Sequence, residues 1–365
     1  MPIDATHARR RRLMMSTFKP TELIPNFFQL SSFTNAVPFG GDLASTSNFA
    51  FTVDNAAISA VHIGRFQASL SGTTPQTLPG VAPATGISFN NAVSYCASLG
   101  TGYHLMTNQE WAAVALWCLG KTVGFGHNAL PRGNNNDGKD KNELSYYATP
   151  TSGTIGDGNT TTVMTGTGPA AWTHNRSPYG IYDLNGNVWE WIGGIRFVYG
   201  EVQVLRDNNA ANSTHSQDAD SAEWRAISPT STGIAYNQPD GSGTTSGCLR
   251  LDYVNGAWKW ITGSITSSST SNRYCTFDQV TYDSGAISEA CARWLKRQAL
   301  LPISSSYDYD GDIFNISNGN AEAMVTRGGA YTNGNYAGMF SVLASPARTS
   351  TNATRGFRVA YYTTA

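Results

Sequence analysis

The apolar positions change period along the chain. From Ala57 to Phe66 they alternate roughly, as in a half-buried strand. Phe89, Ala92, Val93, Cys96 and Leu99 then recur at mostly three- and four-residue steps, which predicts a helix with one apolar face. Gly100 and Gly102 end it. A second helix opens at Thr107-Asn-Gln-Glu110, a capping-box pattern in which the Thr107 hydroxyl and the Glu110 carboxylate satisfy free amides. Trp111, Val114, Ala115 and Cys118 then form its buried side. After a polar loop at residues 133–140, Gly180 to Trp191 reads as turn and strand with Asn185-Gly186 at the corner. A third helix is expected from Ser288 to about Leu300, and the chain closes in short glycine-bounded pieces from Arg327 to Tyr362. Helices early and short strands late make the fold class α+β.

Composition narrows the function classes. The chain has 365 residues, 13% of them charged and 11% aromatic, with a net charge of −1. That balance gives no general attraction to nucleic acid or to anionic membrane. No apolar run is long enough to span a bilayer. Arg9 to Arg12 precede no long apolar stretch, so the start reads as a mobile leader rather than a signal peptide, with Met15 an alternative start. Five cysteines, Cys96, Cys118, Cys248, Cys275 and Cys291, are odd in number and scattered; they read as free buried thiols of a protein made in a reducing cytoplasm. Residues 1–55 form an N-terminal extension, rich in Phe and punctuated by Pro20, Pro25 and Pro38, that packs on the main domain or attaches to another subunit or a larger assembly. Residues 56–365 form the main domain, with a Ser/Thr-rich insertion at about 200–320.

Five segments carry a family resemblance. Ser88–Cys96, Leu105-Met-Thr-Asn-Gln-Glu-Trp111, Tyr182-Asp-Leu-Asn-Gly-Asn-Val-Trp-Glu-Trp191, Arg327-Gly-Gly-Ala-Tyr331 and Gly356-Phe-Arg358 resemble, in order, elements of the formylglycine-generating enzyme (sulfatase-modifying factor) family. The resemblance implies an elaborated C-type-lectin-like fold. In that setting Trp111, Trp189 and Trp191 are expected as core aromatics whose ring N–H needs a partner. Asn185 and Asn187 suit turns, and Glu110 and Glu190 are capping or buried hydrogen-bonding groups. Such elements report a scaffold, and a scaffold does not fix a function.

The family's enzymatic chemistry depends on a copper-binding cysteine pair between the last two elements, whereas residues 328–358 contain no cysteine. A second enzymatic branch uses grouped histidines to bind iron; His7, His62, His104, His127, His174 and His215 are scattered. Gln238-Pro-Asp240 matches a tripeptide of calcium-dependent lectins but lacks its Trp-Asn-Asp partner and reads as a turn. Asp308, Asp310 and Asp312 alternate as in calcium loops, without the downstream Glu of an EF-hand; they are the one candidate site for a structural calcium, and otherwise a solvated turn.

The segment from Arg327 to Arg358 has framework-like ends and small, polar or aromatic residues between, without clean periodicity. It resembles the variable region of diversity-generating retroelement proteins, as the stretches Pro131–Asn136 and Trp191–Arg196 resemble variable proteins of gut bacteria and their phages. In such proteins adenine-directed mutagenesis rewrites Asn codons, which cannot yield Lys, Gln, Glu, Trp or Met. Residues 330–354 contain none of these except Met339. The resemblance implies a ligand surface made of Ala330, Tyr331, Thr332, Asn333, Asn335, Tyr336, Ser341, Leu343, Ser345, Pro346, Ser350, Asn352, Ala353 and Thr354, with Arg327, Arg348 and Arg358 as paired scaffold. It implies a protein or glycan receptor on a cell surface as partner, and location on a phage tail or bacterial surface. A metal-dependent oxidase or sulfoxide synthase, and a structural tail component, are the alternatives.

Overall fold

The computed structural model describes residues 26–32, 48–124, 130–137, 148–151 and 161–363. The arginine run at 9–12, Phe33, His7 and His127 lie outside them. Three α-helices are described: α1 (Phe89–Ala97), α2 (Asn108–Gly124) and α3 (Glu289–Arg297). Ser88 caps α1 by accepting the Asn91 N–H, and Ser288 caps α3 by accepting the Cys291 N–H. The capping box forms as expected: Glu110 N–H donates to the Thr107 hydroxyl and Thr107 N–H to the Glu110 carboxylate.

The fold is α+β, with many strands in mixed sheets. A four-stranded antiparallel sheet has the order Phe27–Ser31, Ala60–Gly64, Val359–Tyr362, Tyr103–Leu105. Ala60–Gly64 is thus flanked on both edges, and four of its five residues are buried, where a half-buried strand was expected. Phe27 of the N-terminal strand packs its ring on Tyr103 and Tyr361.

The larger sheet has twelve strands. Its path runs from Arg273–Thr276 through Ile313–Ile316, Val342–Ala344 and Ala323–Arg327 to the ten-residue strand Trp189–Val198, and on into the strands of residues 201–282. Residues 200–320 therefore extend the sheet on both sides of its middle. Strand Arg355–Phe357 pairs in parallel with the start of Trp189–Val198.

Residues paired across neighbouring strands project to the same side of a sheet. Cys275, Phe314, Val342 and Arg327 lie across one side, with Ile316, Ala344 and Val325 beside them. All are buried, and the apolar ones join the main core with α2. Tyr274, Asn315, Leu343, Thr326, Trp191 and Phe357 form a row across the opposite side. At its Trp191 end that row is covered by α1, whose Phe89 meets the Trp191 ring edge-on. At its Tyr274 end it is open.

Buried charges lock the frame beneath. Arg358 donates to both oxygens of Glu190, at 2.6 and 2.9 Å, and to the carbonyls of Gly64 and Tyr182. Both side chains are fully buried. Gln67 donates to Glu190 and accepts from Asn187, which has φ +61° and also holds the Val163 amide. The asparagines of the corner therefore do more than turn the chain: they fasten a neighbouring loop to it.

Candidate functional site

The site is the open end of the large sheet's outer side together with the loops that rise around it. Its floor is apolar. Trp189, Ile313 and Ala330 cluster there, with half-buried Leu343 against them. Trp189 is buried as expected, at 7% exposure, in a small apolar cluster on this outer side, separate from the main core. Asn315 and Tyr274 continue the floor along the register row.

One wall is the loop after Gly328-Gly329. Both glycines have positive φ. A Cβ on Gly329 would stand 2.4 Å from the Ala337 Cβ, so close return of the loop requires glycine there. The loop holds its shape through its own groups: Asn333 Oδ1 accepts the Ala330 N–H, and Ala337 N–H donates to the Gly334 carbonyl. Thr332, Asn335 and Tyr336 are exposed, and Tyr331 and Asn333 half-buried. The Tyr336 ring lies 5.7 Å from that of Tyr274, and the two are 37% and 50% exposed. The second wall is the loop before Arg355. Asn352 and Ala353 are exposed, Ser350 and Thr354 half-buried, and the Thr354 carbonyl accepts the Trp189 N–H.

Three expected ligand residues are buried instead. Ala330 belongs to the floor cluster at 1% exposure. Ser341 is fully buried because its hydroxyl donates to the Tyr336 carbonyl and accepts the Ile313 N–H, tying the loop to a strand. Pro346 is buried, its carbonyl accepting the Met324 N–H. Ser345 and Leu343 are half-buried. The framework arginines behave as expected: Arg348 pairs with Glu322 at 2.6 Å, and Arg327 donates to Asn108 and to the carbonyls of Gln298 and Ala299.

The three alternating aspartates do not converge. Asp308 is exposed, whereas Asp312 is 1% exposed and accepts the Phe340 N–H at 2.6 Å. Burial raises the Asp312 carboxyl well above the ordinary range, against the pull of the Phe340 amide, and Asp310 and Asp308 raise it further. Among the described residues no group of three or more His, Cys, Asp or Glu is placed to hold a metal ion. Asp308 and Asp310 instead line an open cavity of about 510 Å³ with Asn136, Asp137, Gly311, Gly334 and Asn335, joining the 133–137 loop to the first wall. Asp240 accepts the amides of Ser242 and Thr244, a turn as expected.

All five cysteines are buried and free. Burial pushes the thiols up, those of Cys248 and Cys275 to about 11 and that of Cys291 to about 12. His174 is pushed down to about 3 by burial and by the Arg358 charge. No described helix is long and apolar enough to cross a membrane.

The floor residues Tyr274, Ile313 and Asn315 escaped the sequence reading. They lie in the 200–320 segment, and only strand register brings them under the loops at 331–354.

Residues 46–206 match the family model of the sulfatase-modifying factor enzyme 1-like domain. That stretch contains three of the five resembling segments, and α1, α2 and the Trp189–Val198 strand begin within it. No curated protein matches the chain. Among solved structures it is similar to Treponema denticola variable protein 1, at 11% identity and a TM-score of 0.33, covering 92% of this chain and 95% of that one. A likeness at that level decides nothing about this chain.

Proposed function

We propose that the protein is a ligand-binding variable protein with a C-type-lectin-like fold, which presents residues of the 331–354 segment to a protein or glycan receptor on a cell surface. The observation that carries this reading is the exposed Tyr336–Tyr274 pair, its rings in tilted contact, with exposed Thr332 and Asn335 on the same loop and exposed Asn352 on the second wall, above a frame fixed by buried charge pairs. Tyrosines give rigid amphipathic contact area at small entropic cost, and Asn and Thr give adaptable hydrogen bonds. Loops pinned by glycine, backbone bonds and a few side chains such as Asn333 and Ser341, with other side chains turned outward, tolerate change at the outward positions without unfolding the domain. That is what a segment rewritten by a retroelement needs. The role is binding, not catalysis. Residues 328–358 contain no cysteine, so the thiolate pair on which copper chemistry in the resembling family depends is missing there. A phage tail or a bacterial surface is the setting that fits such a role.

The test exchanges the exposed positions Thr332, Asn335, Tyr336, Asn352 and Ala353 for those of a sibling protein and measures which cells each version binds. The expected result is a change of target with an unchanged melting temperature. An unchanged target would remove the recognition role and favour a structural tail component.

A further inference from the structure

Arg355 ends the second wall. It is paired in register with Trp189, so both project to the outer side of the sheet that carries Leu343, Asn315 and Tyr274. Its guanidinium lies 4.6 Å from the centre of the Trp191 ring. Arg355 is 8% exposed, and its side chain makes no ion pair or hydrogen bond with any described residue. Nε is sealed from solvent without an acceptor, whereas the terminal nitrogens are not sealed. The other arginines of the segment differ at their terminal nitrogens: Arg348 and Arg358 each grip a carboxylate, and Arg327, whose Nε is likewise unpartnered, donates from its terminal nitrogens to Asn108 and two carbonyls. Burial alone lowers the Arg355 guanidinium, to about 10, and no neighbouring charge contributes. It therefore stays charged at neutral pH. A largely buried cation without a counter-charge is costly, and the cost is relieved when an anion reaches its open terminal nitrogens.

We propose that Arg355 is a preformed subsite for a carboxylate group of the ligand, at the edge of the display surface. The inference rests on the display reading above. The two terminal nitrogens, which remain open to solvent, form a fork that matches the two oxygens of a carboxylate. Trp191 holds one face of the guanidinium, so little freedom remains to be lost on binding. Arg355 sits in the frame and not among the exposed loop residues. It thus favours acidic ligands as a class, while the exposed positions around it choose among them.

The experiment is an acetate titration of the whole protein, following the Arg355 Nε–Hε resonance by NMR at constant ionic strength set with chloride. Saturable displacement of that resonance is expected. In Arg355→Gln, saturable acetate binding followed by calorimetry should weaken by roughly tenfold or more. A linear drift shared with the exposed Arg206 overturns the proposal, as does saturation by sulfate without saturation by acetate. The titration of the unaltered protein decides even where the variant fails to fold. Failure of acetate, with the loop exchange still changing cell binding, sinks this subsite and leaves the display reading intact. Acetate binding without any effect of the exchange does the reverse.

Discussion

The two sides of the strands 313–316, 323–327 and 342–344 come from the same few residues and could hardly differ more. On one side Phe314, Ile316, Val325, Val342 and Ala344 are buried in a continuous apolar core. On the other, one residue along, Asn315 and Leu343 are half-buried beneath loops that carry exposed Thr332, Asn335 and Tyr336. The period-two alternation of a strand separates what holds the fold from what is free to meet a partner. Stability is stored on the first side and in the charge pairs below it, which leaves the second side free to vary.

The largest effect that would sharpen this contrast lies in the frame. Glu190→Ala strands the fully buried Arg358 guanidinium, and a loss of about 3–5 kcal/mol is expected in urea unfolding. A loss under 1 kcal/mol would show that the frame is not held by this pair. Next is the seam between the two sides. A Cβ on Gly338 would stand 1.9 Å from an Asp312 carboxylate oxygen, so Gly338→Ala should cost about 1–3 kcal/mol, read as a lower denaturation midpoint.

Asp312→Asn probes the same seam by pH. Burial raises the Asp312 carboxyl, so the protonated form is the one the fold favours. That contribution is complete below the ordinary carboxyl value of 3.8 and is lost as pH rises through the raised value. The variant should therefore gain stability relative to the parent as pH rises across that window, with denaturation midpoints as the measure. A gap independent of pH would mean that Asp312 is not buried as described. Smallest of all, Thr332→Ala, Asn335→Ala and Asn352→Ala should each move stability by no more than about 0.5 kcal/mol. A cost above 1 kcal/mol at any of them would place that residue in the frame and break the contrast.

Much of the frame was legible in the chain. The capping box at Thr107–Glu110, the periodicity of α1 and the serine cap of α3 each rest on contacts within a few residues, and each formed where the pattern placed it. Arg327, Arg348 and Arg358 also lie in the frame, each holding polar partners from other elements. The site was legible only in outline. Ala330, Ser341 and Pro346 look like surface residues in composition, and their burial follows from a floor cluster, a hydroxyl tie and a strand contact that no local pattern reveals.

The sequence by itself determined the α+β class and the helices with their caps, because these follow from short-range periodicity and capping. Only the tertiary structure decided which residues of the 331–354 segment face solvent. It alone brought Tyr274, Ile313 and Asn315 beneath the loops, left Arg355 without a partner and turned Asp312 inward, away from Asp308. Each of those depends on pairing between strands far apart in the chain, where a shift of one residue would exchange the two sides.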